Sequence, residues 1–550
     1  MSLTFFVQGS IMASDGASVI IVGTNVSPMP RRDALYYARS IGLTYLVLHI
    51  ATWIFLPTFI GNSINRDTVQ IVYWGHELEW GYFKHPPLLS WLTEVVVTLF
   101  GNSDLAIYAA SEMLMVVAFY AVYRLSRKYL PPLQSVMAVA VLPVMGYFSY
   151  LVPHLNHNII LIPVWALTTY LAYQAIEERK NRAWLWLGLC IGLGVLGKYT
   201  TLILPALIFA YVVATPAHRP LLRRWEPWLG AALCLLVVLP HLVWLVHNGF
   251  PTLRYLAADA GSGGGDWPLR HLVNPVDGLL KMLGMCGSLL LAIAGGLGRP
   301  CRQMAALRSR DRFLLVMTLG PAATVLALSL LTGGEFHNEW ATPFFVMLPA
   351  LLLCLFYPEP TARQVNRFLV WVSGLSAAMI AVYLAIYSGV LPLAEEAGWA
   401  RFPARELAVG VSEGWRAVCR GPVPVVVGDS WLAGIAAYGL PERPRVYTEA
   451  DPAMAPWLTD PEVRESGAVI LWEADHLGRF REVDHMDVAA KGQPADWFPG
   501  LGALEARFGK LVRLPDMVLA YPAVTGLAPV RLSRAVVPPA RPCADTVVSR

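Results

Sequence analysis

Apolar residues run in long stretches from about residue 40 to residue 391, and polar loops separate these stretches. A helix needs about 20 apolar residues to cross the hydrocarbon core of a bilayer, and about eleven stretches approach that length. They lie at 40–60, 104–123, 132–152, 158–176, 183–198, 200–214, 227–247, 275–297, 313–332, 341–357 and 368–391. The pattern predicts an α-helical polytopic membrane protein with about 11 transmembrane helices.

The pattern changes after Leu391, where proline, glycine and charged residues become frequent. Short β-like runs lie at 423–429, 467–473 and 516–522, and a helical stretch lies at 404–419. This alternation predicts a small C-terminal α/β domain over residues 392–550, after a transmembrane domain over residues 39–391. Residues 1–38 do not have the pattern of a cleavable signal peptide, and we assign no fold to them.

Lysine and arginine are distributed unequally between alternate loops, which predicts the orientation of the chain. The basic loops include residues 31–32, 124–128, 179–182, 219–224, 299–312 and 363–367. Because positive loops stay in the cytoplasm, we expect the N-terminus there and the α/β domain outside, in the periplasm next to a bacterial inner membrane. Only 15% of the residues are charged and no basic tract occurs, which argues against a nucleic-acid partner.

Two features of the tail leave alternatives open. Asp429 follows a predicted strand, and we interpret it as a helix N-cap in preference to a ligand contact. Cys419 and Cys543 form a disulfide if the tail lies outside the cytoplasm, and two free thiols are nearly as compatible with the sequence.

The first outer loop, residues 61–103, is rich in charged and aromatic residues. We predict an amphipathic helix from Asp67 to Glu79, with aromatic side chains toward lipid and with Glu77 and Glu79 on the solvated side. Asp67 by itself would be a helix N-cap or a solvated carboxylate. Its aromatic and basic neighbours favour a carboxylate in a partly dry cavity, where it can act as a general base.

Three basic side chains on the same side of the membrane are candidates for anion binding. Lys84 and His85 precede the rigid pair Pro86-Pro87, and they either bind an anionic group or touch lipid headgroups. Lys198 lies at the outer turn between two short spans, against the positive-inside trend. It either contacts an anion or extends its ammonium group to the interface.

Polar residues also cluster at two further outer junctions. The first cluster is His154, Asn156, His157 and Asn158, and the second is Glu335, His337 and Glu339. We expect the first cluster to face a cavity through hydrogen bonds, because unpartnered polar groups are costly at membrane depth. A two-histidine metal site is less favoured because no carboxylate lies beside the histidines. The second cluster either lines the same cavity or consists of ordinary loop residues.

These candidates share one side of the membrane, which indicates a polar cavity for an anionic, amphipathic substrate such as a lipid phosphate with a polar head. We predict no cofactor and assign no metal ligand, although the sequence leaves a divalent metal requirement open.

A set of spaced residues in the first outer loop resembles the signature of a known enzyme family. The pattern D-x6-W-x3-L-x2-GY-x2-HPPL is formed by Asp67, Trp74, Leu78, Gly81, Tyr82, His85, Pro86, Pro87 and Leu88. It is similar to the first-loop signature of glycosyltransferase family 39, which includes protein O-mannosyltransferase-like and lipid A aminoarabinose transferase-like membrane enzymes. The segments at 192–207, 239–250 and 339–353 are similar to later family segments. The resemblance covers roughly residues 40–360 and implies a GT-C fold.

The resemblance also implies an activity and site roles. The family transfers a sugar from a polyprenyl-phosphate carrier to a lipid, glycan or protein acceptor on the extracytoplasmic side. Asp67 then corresponds to the acid that activates the acceptor, His85 lies near the donor phosphate, and Lys198 matches the family lysine. Lys84 adds a positive charge for the phosphate, and Tyr82 is a further candidate for the cavity or for acceptor contact.

The chain departs from the family pattern at three positions. Thr68 replaces a frequent second acid, Lys84 replaces a frequent aspartate, and Asn158 falls where a later family aspartate is expected. Two other classes of function therefore remain as alternatives. One is a transporter or flippase of an anionic lipid, although we find no repeats or midplane charges of the kind that transporters carry. The other is a glycosyltransferase-like binding protein without catalytic activity.

Overall fold

The computed structural model describes residues 30–255, 268–300, 309–335, 337–387, 399–474, 500–522 and 527–540. The helices before the tail are α1 (Arg31–Tyr36), α2 (Gly42–Ile60), α3 (Arg66–Glu77), α4 (Leu88–Phe100), α5 (Asp104–Ser126), α6 (Pro132–Ala140), α7 (Leu161–Ile176), α8 (Asn181–Gly197), α9 (Ile203–Ala214), α10 (Trp225–His247), α11 (Arg270–Leu297), α12 (Ser309–Thr332), α13 (Leu348–Phe356) and α14 (Ala362–Tyr387).

Six helices within the described residues are long and apolar enough to cross a bilayer. They are Gly42–Ile60, Asp104–Ser126, Trp225–His247, Arg270–Leu297, Asp311–Thr332 and Ala362–Tyr387. Shorter apolar helices include α4, α7 and α8. The predicted class, a helical polytopic membrane protein with a small C-terminal sheet domain, is confirmed, whereas the count of about eleven spans stays a prediction.

The predicted span at 132–152 is not one continuous helix. α6 ends at Ala140, and two short 3-10 turns follow at Leu142–Val144 and Gly146–Phe148. Pro143 lies in the first of these turns. Proline has no backbone N–H to continue an α-helix, which explains why an apolar sequence pattern alone overestimated the length of the helix.

The tail contains four described helices and one mixed sheet. The helices are α15 (Ala404–Arg416), α16 (Ser430–Gly439), α17 (Asp460–Ser466) and α18 (Leu501–Phe508), and the strands are β1 (Val425–Gly428), β2 (Arg445–Thr448), β3 (Ala468–Glu473), β4 (Val512–Leu519) and β5 (Val530–Val537). The strand order is β2-β1-β3-β5-β4. β1 pairs in parallel with β2 and β3, and β5 pairs antiparallel with β3 and β4.

Two local predictions for the tail can be compared with this arrangement. The carboxylate of Asp429 accepts hydrogen bonds from the backbone N–H groups of Trp431 and Leu432, so it caps α16 as predicted. Cys419 is disulfide-bonded, and Cys543 lies outside the described residues.

The tail packs directly on the first outer loop. Arg445 on β2 donates to both carboxylate oxygens of Glu77, at 2.8 to 3.2 Å. Arg443 donates to Glu94 on α4 at 3.0 Å, and the Tyr73 hydroxyl lies 3.0 Å from the Ser430 hydroxyl. The predicted helix after Asp67 is confirmed as α3, but Glu77 lies in this contact and not on a solvated side.

The predicted lipid-facing position of the loop aromatics is also wrong for most of them. Tyr73, Trp74 and Tyr82 are buried in the protein, with at most 6% of each side chain exposed. The rings of Trp74 and Tyr82 stack with centroids 4.8 Å apart. Trp80 is an exception, since it is 44% exposed. Tyr73 lies against Ser430 of the tail and Tyr82 near Trp457 of the tail, whereas Trp74 packs against other side chains of the first outer loop.

Candidate active site

One cavity of about 820 Å³ lies where the first outer loop meets the ends of several membrane helices. This volume lies within the range of cavities that bind small molecules in proteins. Its lining includes Asp67, Gln70, Lys84, His85, Pro86, Asn156, His157, Asn158, Lys198, Tyr199, Thr200, Ile203, Thr252, Tyr255, Lys281, Val325, Leu328, Ser329, Thr332, Gly334, Glu335, His337, Glu339 and Trp340. Most of the predicted site residues therefore meet in one place.

Asp67 occupies the first turn of α3, at the edge of the cavity. The side chain of Asn65 caps this helix by accepting a hydrogen bond from the Asp67 backbone N–H at 3.0 Å. The N-terminal end of a helix carries partial positive charge, which stabilises an ionised carboxylate there. Thr68, in place of the frequent family acid, is buried and donates its hydroxyl to the Leu155 carbonyl at 3.0 Å. Thr68 thus ties α3 to the loop that carries His157 and Asn158.

A chain of hydrogen bonds joins three separate segments of the cavity wall. Lys198 donates from Nζ to Oδ1 of Asn158 at 2.6 Å. Asn158 donates from Nδ2 to Oε2 of Glu339 at 3.1 Å. Removal from water raises the pKa of Glu339, the charge of Asp67 raises it further, and Lys198 and Lys84 oppose the rise. Besides Asp67 and Glu335, Glu339 is therefore a third carboxylate in the cavity lining, on a segment where the sequence left its role open.

Two histidines stack at the polar end of the cavity. The rings of His85 and His157 lie with centroids 3.9 Å apart. Burial lowers the pKa of both side chains well below the usual range, and the nearby charges of Lys84 and Lys198 lower it further. Both imidazoles are therefore neutral near pH 7. The positive charge at this end comes from the two lysines, and His85 can contribute a hydrogen bond but not a charge to an anion.

Tyr199 is held by a hydrogen-bonded pair that the sequence reasoning missed. Its hydroxyl lies 2.7 Å from Nε2 of His241 and 2.9 Å from the hydroxyl of Thr252. Nδ1 of His241 lies 2.7 Å from the Trp80 carbonyl, which can only accept. Nδ1 therefore carries the hydrogen, and Nε2 accepts from Tyr199. A histidine within an otherwise apolar span was the sequence signal for this role.

Tyr82 and His154 are absent from the lining of the cavity. The hydroxyl of Tyr82 donates to the Trp74 carbonyl at 2.7 Å, and the side chain is fully buried. A ring nitrogen of His154 lies 2.8 Å from the Tyr387 hydroxyl, at a separate small cavity. Removal from water lowers the pKa of His154 to about 4. Because His154 and His157 lie at different cavities, the two-histidine metal arrangement is not formed.

Part of the cavity lining is apolar. It includes Ile203 on α9 together with Val325 and Leu328 on α12. Lys281 on α11 also reaches the cavity, and it pairs with Asp277 at 2.6 Å. Among the residues that the structure describes, no group of three histidine, cysteine, aspartate or glutamate residues is arranged to hold a metal ion. The cavity therefore combines a charged end with an apolar side, as an amphipathic ligand requires.

Residues 84–244 match the family described as dolichyl-phosphate-mannose-protein mannosyltransferase. The predicted resemblance to this glycosyltransferase family is confirmed. The matched segment contains Lys84, His85, His157, Asn158 and Lys198, and Asp67 lies 17 residues before its first residue (84 − 67 = 17).

Three individual proteins are similar to this chain. The lipopolysaccharide core galacturonosyltransferase RgtB from Rhizobium johnstonii is 25% identical over 409 residues, which cover 72% of this chain and 81% of RgtB. RgtA, another lipopolysaccharide core galacturonosyltransferase from that organism, is 26% identical over 436 residues, which cover 73% of this chain and 84% of RgtA. The structure also matches the crystal structure of ArnT from Cupriavidus metallidurans bound to undecaprenyl phosphate, with a TM-score of 0.48. The sequence identity is 13%, and the match covers 90% of this chain and 98% of ArnT. The chain is an integral-membrane protein that is similar, over more than two thirds of its length, to galacturonosyltransferases.

Proposed function

We propose that the chain transfers a sugar from a polyprenyl-phosphate donor to an acceptor on the extracytoplasmic side of a bacterial inner membrane, with Asp67 as the general base. One observation carries this proposal. A single cavity contains the Asp67 carboxylate, the ammonium groups of Lys84 and Lys198, and an apolar wall. The family description also names a polyprenyl-phosphate sugar, dolichyl phosphate mannose.

The proposed reaction is an inverting displacement at the anomeric carbon of the donor sugar. Asp67 takes the proton of the acceptor nucleophile while the acceptor atom bonds to the anomeric carbon. The bond between that carbon and the phosphate oxygen breaks, and the phosphate leaves with the electron pair. Lys84 and Lys198 stabilise the negative charge that develops on the phosphate. His85 supplies a neutral hydrogen bond in this scheme.

The apolar wall of α9 and α12 gives the polyprenyl chain a place beside the bilayer. Charge distribution supports an outward-facing cavity, because the arginine-rich loops belong to the opposite side. The disulfide bond at Cys419 supports the same orientation, since disulfides persist in oxidising compartments such as the periplasm. In this proposal residues 39–391 carry the chemistry, and residues 392–550 form the extracytoplasmic domain.

The relatives suggest the first substrates to test. RgtA and RgtB are named as galacturonosyltransferases of the lipopolysaccharide core, so we propose a uronic acid as the donor sugar and a lipopolysaccharide core glycolipid as the acceptor. A uronic acid carries a carboxylate in addition to the carrier phosphate. The third lysine in the cavity, Lys281, offers a cation for this second anionic group.

The direct test is a transfer assay with purified protein in lipid nanodiscs. Radiolabelled undecaprenyl-phosphate galacturonic acid is incubated with lipopolysaccharide core acceptors, and undecaprenyl-phosphate-linked neutral and amino sugars serve as competing donors. We expect the wild type to label the acceptor and Asp67→Asn to lose at least about 1,000-fold in rate while remaining folded. Asp451→Asn, at an exposed position of the tail, is the matched control that keeps full activity.

Each outcome of this assay assigns the function. Full activity of Asp67→Asn would remove Asp67 as the base. Movement of the lipid across the bilayer without labelled acceptor would favour the transporter. Binding of the lipid with neither transfer nor movement would favour a non-catalytic binding protein.

A further inference from the structure

Asn158 lies between Lys198, whose side chain only donates hydrogen bonds, and Glu339, whose ionised side chain only accepts them. The ammonium group of Lys198 can donate but cannot accept, and the reverse holds for the Glu339 carboxylate. The amide of Asn158 contains one acceptor and one donor group, and both are used: Oδ1 accepts from Lys198 at 2.6 Å, and Nδ2 donates to Glu339 at 3.1 Å. The lysine and the carboxylate together determine which end of the amide faces each of them.

We propose that Glu339 is a positioning residue for Lys198 and acts through Asn158. A catalytic effect of Glu339 rests on the proposed function, in which Lys198 holds the leaving phosphate. Without an acceptor on its Nδ2 side, the Asn158 amide loses one of the two hydrogen bonds that hold it. The Oδ1 atom that accepts from Lys198 would then no longer be fixed, and neither would the ammonium group.

The contacts of Glu339 differ from those of an ordinary glutamate in a solvated loop. Asn158 and Glu339 are separated by 181 residues, and Asn158 and Lys198 by 40, so three distant segments converge on one line of hydrogen bonds. Glu339 also interacts electrostatically with Asp67 and Lys84 across the cavity. Its negative charge reduces the mutual repulsion of the two lysines, which both act on the same histidines.

This arrangement explains a departure from the family pattern. The resemblance places an aspartate where the chain has Asn158, and a carboxylate at that position would pair with Lys198 directly. In this chain the negative charge lies one side chain further from Lys198, on Glu339. Asn158 connects the two through its hydrogen bonds. The cavity keeps one carboxylate near Lys198 in both arrangements.

A charge-relocation experiment tests the proposal. The variants are Glu339→Leu, which has no acceptor, Asn158→Asp and the double variant. Glu359→Leu, at an exposed position outside the cavity lining, is the matched control. Two quantities are measured: kcat/KM for sugar transfer and the Kd for undecaprenyl phosphate in nanodiscs. The Kd does not depend on chemistry, so it reports on Lys198 even if the transfer reaction has been misassigned.

We expect Glu339→Leu to weaken phosphate binding and lower kcat/KM by about 10- to 100-fold, the range for losing a hydrogen-bonded charge. Asn158→Asp alone is also impaired, because its second oxygen faces the Glu339 carboxylate. The double variant is expected to recover to within about 5-fold of the wild type, since the relocated carboxylate would pair with Lys198 without needing a fixed amide.

Glu339→Leu with wild-type affinity, or a double variant no better than the single variants, would overturn the positioning role. Wild-type protein that binds undecaprenyl phosphate but transfers no sugar would overturn the proposed function alone, and the affinities would still decide the role of Glu339. Wild-type protein that does not bind undecaprenyl phosphate would overturn both.

Discussion

The contact between Arg445 and Glu77 is expected to hold the tail on the helix that carries Asp67. Three hydrogen bonds of 2.8 to 3.2 Å join the two side chains, and the Glu77 side chain is only 8% exposed. Replacing Arg445 by Met leaves this carboxylate with little water to replace its partner. Breaking a fully buried pair costs about 3–5 kcal/mol, whereas exposed pairs contribute about 0–1 kcal/mol.

The exposure of Arg445 places the expected cost of breaking this contact between these two limits. Because 35% of the Arg445 side chain is exposed, water can reach one side of the contact and screen it. We therefore expect Arg445→Met to destabilise the docked tail by about 2 kcal/mol, which lowers the melting temperature of a domain of this size by about 4–8 °C. Activity should fall as well, since α3 carries both Glu77 and Asp67.

The assay is thermal unfolding followed by tryptophan fluorescence, together with limited proteolysis of the tail in nanodiscs. Glu77→Gln/Arg445→Met is the matched double variant, and we expect it to be more stable than Arg445→Met because it has no uncompensated carboxylate. A melting temperature of Arg445→Met within about 1 °C of the wild type would refute the reasoning, as would a double variant less stable than Arg445→Met.

Two further predictions concern packing. Tyr82→Phe removes the hydrogen bond to the Trp74 carbonyl and is expected to lower the free energy of unfolding by about 1 kcal/mol, measured by thermal unfolding. Transfer activity is expected to stay near that of the wild type. A selective loss of acceptor affinity would instead restore Tyr82 as a site residue. Gly188→Ala would place a methyl carbon 2.0 Å from the Gly230 carbonyl oxygen, where α8 crosses α10. We expect this clash to lower the free energy of unfolding by at least about 1–3 kcal/mol and so to reduce the yield of folded protein. Gly284→Ala, which has open space around it, is the control for Gly188→Ala, and equal yields of folded protein from both variants would contradict the prediction.

Local sequence was sufficient to find much of the cavity. The helix at Asp67 followed from the local polar and apolar pattern, and Asn65 starts it through an N-cap two residues away. The charge of alternate loops assigned the candidate residues to one side of the membrane. That assignment was useful because helices that end on the same side bring their terminal loops together.

Other features depended on contacts between distant segments, which periodicity does not report. Tyr82 belongs to the family-like motif, but its side chain is buried against Trp74 and serves packing. His154 lies three residues from His157 but faces another cavity, because the loop between the membrane helices turns there. Burial also made His85 neutral, a property that its neighbour Lys84 would not suggest from the sequence alone.

The membrane-spanning character of the chain, the α/β character of its tail and the resemblance to glycosyltransferases could all be predicted from the amino-acid sequence. These depend on local composition, on spacing within one segment and on the cost of placing polar groups in lipid. The contact between Glu77 and Arg445, which are separated by 368 residues, and the contact between Glu339 and Asn158 depend on the folded arrangement and could not be predicted in this way. The physical reason is that a charge must find a partner when it leaves water, and the fold determines which of many distant residues is close enough to serve.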